Sequence, residues 1–273
     1  MNPVTINSTI AIGKGKPLAL IAGPCVIEDE KLVLETAARV AAVCQDLEIP
    51  YIFKASYDKA NRSNLLSFRG PEIDQGLEIL ARVKNELGIP VVTDVHDQHE
   101  VEKVAEVVDI IQIPAFLCRQ TDLLLAAGRT GKPLNVKKGQ FMAPEDMGSI
   151  TGKINSTGND RILLTERGTT FGYHNLVVDF RGIPTMQATG CPVVFDATHS
   201  VQLPAARGTC SGGDRQMVPT LAAAAAATGV DALFMEVHPD PDRALCDGAN
   251  SLPLDQLKPL LIRLLRIWEA GKQ

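Results

Sequence analysis

Eight short apolar runs punctuate the chain, at 18–26, 51–56, 90–95, 110–116, 134–138, 162–166, 192–198 and 232–237. Most are nearly continuous rather than alternating, the pattern of parallel strands covered on both faces. Helical stretches fall between them. Residues 29–47 bring Leu32, Leu34, Thr36, Val40, Val43 and Leu47 close to helical spacing and open on acids, which suit the positive end of a helix. Residues 71–87 place Pro71 in a first turn and stop before Gly88. Residues 214–228 are alanine-rich and end at Gly229, and 252–270 close the chain. Strands alternating with helices in this number predict an α/β protein of (β/α)8 type, a TIM barrel. A doubly wound sheet is the alternative, and the strand count favours the barrel. Residues 5–12 read as a hairpin or strand under the barrel floor. The sequence shows no linker and no change of composition, so 1–273 reads as a single barrel domain with 1–17 as a short N-terminal hairpin extension.

Composition narrows the classes. With 273 residues, 45% of them hydrophobic and 22% charged, the chain can build a large core, and global disorder is excluded. A net charge of −5 argues against DNA or membrane phosphate as the main partner. Aromatics are only 4%, with no basic-aromatic surface, so no nucleic-acid role is expected. The start of the chain lacks a basic segment followed by an apolar one, and no apolar run approaches the roughly 18 residues of a span. The six cysteines, at 25, 44, 118, 191, 210 and 246, are scattered without a CxxC. They read as reduced thiols of a cytoplasmic protein. Neither GxGxxG nor GxxxxGK[ST] occurs, so nucleotide binding has no motif support. Residues 211–213 read as a mobile loop, and His96, His99 and His174 as surface histidines.

The chemistry is concentrated where the runs end, which in a barrel is the face that carries active sites. Those ends hold Cys25, Lys54, Asp94, Gln112, Lys137 with Lys138, Glu166 with Arg167, Asp196 with His199, and Glu236. Charges at such depth are costly unless paired or ligated. Runs seven, eight and one are neighbours in a closed barrel. They would bring His199, Glu236 and Cys25 together, with Asp247 able to fold back from the last long loop. A thiolate, an imidazole and two carboxylates suit a first-row divalent ion such as Fe, Mn, Co or Zn. The competing reading makes Cys25 a small buried residue, Glu236 a partner for a base and Asp247 a turn cap. Lys54, Lys59, Arg62, Arg119, Lys137, Lys138 and Arg167 form a cationic ring despite the negative net charge. Such a ring suits phosphates and carboxylates. Pairing with Asp58, Asp94, Glu166 and Asp196 accounts for part of it.

Several blocks in order resemble one family. They are Lys54-Ala-Ser-Tyr-Asp-Lys-Ala-Asn-Arg-Ser63 with Phe68-Arg-Gly-Pro71, Thr93-Asp-Val-His96, Gln112-Ile-Pro-Ala-Phe116, Arg119-Gln-Thr-Asp122 and Asn135-Val-Lys-Lys138. Glu166-Arg-Gly168, Phe171-Gly-Tyr173, Phe195-Asp-Ala-Thr-His199 and Glu236-Val-His-Pro-Asp240 follow. Over roughly residues 17–270 the chain is similar to 3-deoxy-D-manno-octulosonate 8-phosphate (KDO 8-phosphate) synthases. The Lys-Pro-Arg-Thr pattern of the related heptulosonate synthases, which use erythrose 4-phosphate, is absent. The resemblance implies a transferase of lipopolysaccharide precursor synthesis, usually a homotetramer, that joins phosphoenolpyruvate to D-arabinose 5-phosphate and releases phosphate. It implies that Lys54, Lys59, Gln112, Lys137, Arg167 and His199 hold phosphoenolpyruvate. Asn61, Arg62 and Ser63 would hold the sugar phosphate, and Phe116 and Arg119 would reach a neighbouring subunit's site. Lys59 and His199 are candidate proton donors, and Asp94 is a candidate catalytic group beside the sugar. Members with Cys at the position of Cys25 are metal-dependent, whereas the others carry Asn. The resemblance therefore implies one divalent metal ion per subunit on Cys25, His199, Glu236 and Asp247. A heptulosonate synthase and a non-catalytic sugar-phosphate sensor are the alternative readings.

Overall fold

A computed structural model describes residues 2–62, 64–204 and 212–272. The eight apolar runs are its barrel strands: β1 (Ala19–Gly23), β2 (Tyr51–Lys54), β3 (Val91–Asp94), β4 (Ile110–Ile113), β5 (Leu134–Lys137), β6 (Ile162–Glu166), β7 (Val193–Asp196) and β8 (Ala232–His238). They pair in parallel in chain order, and β8 closes the ring by pairing with both β7 and β1. Helices α1 (Glu30–Asp46), α2 (Ile73–Leu87), α3 (Val101–Val107), α4 (Thr121–Arg129), α5 (Met147–Asn155), α6 (Gly182–Gln187), α7 (Val218–Ala227) and α8 (Leu254–Ala270) follow the strands in turn. This is the (β/α)8 barrel.

Strand alternation sorts the core into two parts. Leu20, Phe53, Val91, Ile111, Val136, Leu164, Phe195 and Leu233 pack outward against the helices. Ile21, Ile52, Val92, Ile110, Leu163, Val194 and Phe234 fill the barrel interior together with Val4, Ile6 and Ile12. The last three come from an antiparallel hairpin, in which Val4–Thr5 pairs with Ala11–Ile12. The Asn7 carboxamide oxygen shapes its turn by accepting from Thr9 N at 2.9 Å and Ile10 N at 2.8 Å. Both faces of each strand are therefore buried, which is why the sequence runs read as continuous.

The helices differ from the expected periodicity in detail. In α1 the buried line is Val33, Thr36, Ala37, Val40 and Cys44, while Leu32, Leu34 and Val43 are only half-buried. The helix starts where the Asp29 carboxylate accepts from Leu32 N at 2.8 Å, and that cap fixes the phase. Helix α2 begins at Ile73, so Pro71 precedes it rather than sitting in its first turn. Gly88 ends it at φ 66°, a conformation glycine adopts without strain. The stretch from 214 opens with a 3-10 turn, Arg215–Met217, before α7.

One close approach sets the rim of the site. The register Glu236↔Gly23 brings the end of β8 level with the end of β1. A Cβ at Gly23 would lie 2.0 Å from the Lys54 carbonyl oxygen. The bare glycine lets β1 and β2 draw together there, next to Cys25.

Candidate active site

Toward their C-terminal ends the inward positions of the strands change from apolar to ionic. Lys54, Asp94, Gln112, Lys137, Asp196 and Glu236 are all buried there. Buried charges need partners, and the side chains partner one another. Lys54 Nζ donates to the Cys25 carbonyl at 3.0 Å and to Ser56 Oγ at 2.9 Å, and lies 3.3 Å from Glu236 Oε1. Ser56 Oγ also accepts from Lys59 Nζ at 2.9 Å and donates to Asp94 Oδ1 at 2.5 Å. One hydroxyl thus uses both its lone pairs and its proton to lock two ammonium groups to a carboxylate. Deeper in the barrel, Asn135 donates to Gln112 at 3.1 Å and accepts from Thr165.

A second network runs through Asp196. It accepts from Lys137 Nζ at 2.5 Å, from Thr198 Oγ1 at 3.1 Å and from the His199 backbone at 2.9 Å. It also holds His199 Nδ1 at 2.7 Å. With Nδ1 donating to Asp196, Nε2 is left facing Glu236 Oε1 at 3.7 Å. The Lys137 ammonium stands 3.2 Å from the Phe234 ring centroid. Burial pushes the Lys137 pKa down to about 8 although Asp196 opposes it. Burial works against the Glu236 charge as well, but His199, Lys54 and Lys59 overcome it and hold the carboxyl at about 2. Asp196 is likewise held well below its ordinary value, because His199 and Lys137 outweigh its burial.

Metal-ligating atoms gather at the same place. Those of His199, Glu236 and Asp247 lie within 4.8 Å of one another, and so do those of Cys25, Cys246 and Asp247. Cys25 Sγ is 3.5 Å from Asp247 Oδ2. The expected quartet is therefore split into two triads that share Asp247, and Cys246, which the sequence reading left without a role, joins one of them. The fit to a divalent ion rests on an orphan: Glu236 Oε2 is fully buried and has no hydrogen-bond partner among the described residues. An imidazole turned by a carboxylate, as Asp196 turns His199 toward the Glu236 carboxylate, is the arrangement found behind metal-ligating histidines. Burial first, then the Cys246 sulfur and Glu236, push the Cys25 thiol up; a cation would reverse that preference. Asp247 sits at φ 47°, a sparsely populated conformation for aspartate.

Two guanidinium nitrogens at the mouth are buried without partners among the described residues, Arg62 Nε and Arg167 Nη1. Arg167 Nη2 donates to Gln202 at 3.0 Å, and Arg62 Nη1 points at Cys246 Sγ at 2.8 Å. Glu166 accepts from the backbone N–H of Arg167 at 2.9 Å and of Gly168 at 2.7 Å, and pairs with Lys138 at 3.5 Å. Lys138 thus supports the β6 end rather than joining the cationic ring. Asn61, Phe116 and Arg119 are exposed on loops outside these networks, and Ser63 lies outside the described residues.

His96 departs from the surface reading. It is only 12% exposed, with Nε2 3.1 Å from Asp94 Oδ2 and its ring edge-on to Tyr57. Ser56, His96 and Cys246 are the residues of the cluster that motif reading leaves without a role at the site, and it gives Asp196 only a pairing role. All four stand within three positions of singled-out residues. Short polar residues flanking a strand-end Lys, Asp or His were the available signal.

A model of the DAHP synthetase I family matches residues 1–270. The chain belongs to the DAHP synthetase I family. It is 60% identical over 270 residues to the 2-dehydro-3-deoxyphosphooctonate aldolase of Desulfatibacillum aliphaticivorans, with 99% of each chain covered. Identity to the protein of the same name from Syntrophotalea carbinolica is 60% over 94% of this chain and 93% of that one. With the Geobacter sulfurreducens protein of that name it is 59% over 97% of each. That name is a synonym of KDO 8-phosphate synthase, so the family agrees with the resemblance carried by the sequence blocks. Among the described residues no helix is long and apolar enough to cross a membrane.

Proposed function

We propose that the protein is a KDO 8-phosphate synthase that condenses phosphoenolpyruvate, D-arabinose 5-phosphate and water to the eight-carbon keto-acid phosphate and inorganic phosphate. The observation that carries this reading is the barrel mouth. Lys54 and Lys59 pair with the buried Glu236 carboxylate and Lys137 with the buried Asp196, and guanidinium nitrogens of Arg167 and Arg62 are buried without partners among the described residues. The names of the relatives support the same reaction.

The chemistry asks for two anionic reactants at bonding distance. C3 of the enol phosphate forms a bond to the sugar aldehyde carbon, whose oxygen takes up a proton. Water adds at C2, and phosphate leaves from C2 to give the ketone. The carboxylate and phosphates repel one another in water. Fixed ammonium and guanidinium groups offset that repulsion without reorganising during the reaction. Lys54, Lys59, Lys137 and Arg167 do this for phosphoenolpyruvate in the present reading. Asn61, Arg62 and Ser63 receive the sugar phosphate. Lys59, tied to Ser56, is the group placed to hand a proton to the aldehyde oxygen, while His199, its Nδ1 held by Asp196, keeps Nε2 for the ion. Asp94 fixes Ser56 and His96 on the sugar side. Cys25, His199, Glu236 and Asp247 would hold one divalent ion, Fe, Mn, Co or Zn. When bound, such an ion supplies Lewis-acid polarisation and an anchoring charge.

The working molecule is proposed to be a cytoplasmic homotetramer in which Phe116 and Arg119 approach a neighbouring subunit's site. Phe116, Phe141, Phe171 and Tyr173, on the loops that follow β4, β5 and β6, are 56%, 56%, 67% and 95% exposed. In this reading these exposed aromatics belong to the face that meets the neighbouring subunit.

The test is phosphate release from phosphoenolpyruvate with arabinose 5-phosphate, before and after chelation and with single divalent metals restored. Release that stops on chelation and returns with metal is expected. Release that survives complete metal removal keeps the enzyme and sinks the metal centre. Release with erythrose 4-phosphate alone would move the protein to the heptulosonate synthases. Sedimentation gives the oligomer order.

A further inference from the structure

One carboxylate close to the proposed ion site has no part in the mechanism. Glu28 lies between the end of β1 and α1, and its side chain is only 11% exposed. Its segment is held on both sides. Ile27 N donates to the Ser56 carbonyl at 2.9 Å, and Asp29 caps α1 through Leu32 N. The same segment carries Cys25, whose carbonyl accepts from Lys54 Nζ. From this base Glu28 Oε1 accepts from the backbone N–H of Leu245 at 2.9 Å. Leu245 stands two positions before Asp247. The loop that carries Asp247 leaves β8 after His238 and returns to it, where Leu252–Pro253 pairs in parallel with Val237–His238. His238 pins the departure, because its Nδ1 accepts from Asp240 N at 3.0 Å. The ring proton therefore belongs on Nε2. That nitrogen is buried, faces Glu28 Oε1 at 3.6 Å, and has no hydrogen-bond partner among the described residues. Beyond Asp247 the chain is fixed by the Asp247 carbonyl, which accepts from Asn250 N at 2.9 Å and Ser251 N at 3.1 Å. Gly248 lets the loop fold onto itself, since a Cβ there would lie 2.1 Å from the Pro241 carbonyl oxygen.

We propose that Glu28 is a positioning residue of the divalent-ion site: it grips the Leu245 amide and so sets Asp247 against Cys25. The proposal rests on the metal reading above. Glu28 acts through the loop, with His238 as the second anchor facing it. Cys25 shares the rigid segment of Glu28, and Asp247 follows closely on the gripped amide. One hydrogen bond therefore fixes the spacing between a sulfur donor at the end of β1 and a carboxylate donor after β8, which stand 3.5 Å apart. Asp247 also holds φ 47°, a conformation that persists only where the surroundings over-determine it. The chemistry of the grip distinguishes two substitutions. Glutamine keeps an oxygen that accepts from Leu245 N, whereas alanine leaves that amide to water.

The experiment compares the full chain as wild type, Glu28→Ala, Glu28→Gln and Asp247→Ala, each first stripped of metal. Hydrogen exchange over residues 239–251 is followed by mass spectrometry. Cobalt(II) is then added, its affinity is measured by competition with a chromogenic chelator, and its visible d–d spectrum is recorded. In Glu28→Ala, exchange over 239–251 should quicken roughly tenfold while the rest of the barrel stays as protected as in wild type. Its cobalt affinity should fall roughly 10–100-fold, with an altered d–d spectrum. Glu28→Gln should recover most of both. Unchanged exchange over 239–251 in Glu28→Ala would overturn the proposal. So would faster exchange spread evenly over the barrel, which marks a general structural role, and so would cobalt bound as tightly as by wild type. A wild type that takes up no cobalt, or an Asp247→Ala protein that binds it as tightly as wild type, sinks the metal reading itself and the positioning role with it. Cobalt held by wild type, lost by Asp247→Ala and kept by Glu28→Ala sinks the positioning role alone, so the two failures are told apart.

Discussion

The lower and upper halves of the barrel interior are built on the same eight strands and are nearly equally dry. Ile21, Ile52, Val92, Ile110, Leu163 and Val194 are at 0% exposure below; Lys54, Asp94, Lys137, Asp196 and Glu236 are at 0–6% above. Burial has opposite consequences in the two places. Apolar area removed from water contributes about 25 cal/mol per Å², and the N-terminal hairpin adds Val4, Ile6 and Ile12 to that half. Each buried ion costs several kcal/mol of desolvation before its partner returns any of it. Shape and water exclusion alone would have been served by leucines in the upper half too. Charges are held there because charge is what the reaction needs, and the lower half supplies the stability that tolerates them.

Substitutions can separate the halves. Leu163→Ala in the lower half should lower the unfolding free energy by about 2–5 kcal/mol, read from urea denaturation. Phosphate release per folded molecule should stay near wild type. A Leu163→Ala protein that is fully stable but inactive would erase the distinction. Asp196→Asn, in the upper half, should act the other way. It keeps the shape but loses the charge that turns His199 and pairs Lys137. Metal affinity should fall roughly 10–100-fold, about 1.4–2.7 kcal/mol, measured by competition with a chromogenic chelator. The thermal midpoint should move less than in Leu163→Ala. Unchanged affinity would mean that His199 is oriented by something other than Asp196.

This division also explains what could be read from the sequence. The strands were legible because both faces are buried, so each run is apolar until its polar end. The helices after β3 to β6 were not singled out, because they are seven, nine, nine and six residues long. So few turns give little periodicity. The site was visible as a set of strand ends, since Lys54, Asp94, Lys137 and Glu236 interrupt apolar runs. Its wiring was not visible. Ser56 and Asp196 act through hydrogen bonds to residues far along the chain, such as Asp94 and Lys137, and no local spacing encodes those contacts. Cys246 and Cys25 are neighbours only because β8 closes on β1. His96 looked like a surface residue because the Tyr57 ring that covers it comes from the segment after β2 and meets it only when β2 and β3 pair.

The smallest expected effect concerns that histidine, at the edge of the upper half. Burial lowers the His96 pKa, but the hydrogen bond and charge of Asp94, and then Glu100, overcome it and raise it above 6.5. Asp94 is held well below 3.8: burial opposes its charge, and His96, Lys59 and Lys54 outweigh burial. The signs follow from linkage. The raised His96 contributes stability that is fully present below its unfolded pKa and is lost as pH rises through its folded value. The lowered Asp94 contributes stability that is present above its unfolded pKa and is lost as pH falls through its folded value. The pair therefore contributes most between the two unfolded values, at 3.8 and 6.5. The stability difference between wild type and Asp94→Asn should be widest in that window and narrow on either side. In an NMR titration the His96 ring should protonate with a midpoint above 6.5 in wild type and a lower one in Asp94→Asn. A midpoint that does not move would show that His96 takes its charge from Glu100 alone, and would place it in the supporting shell of Tyr57 rather than in the ionic half of the barrel.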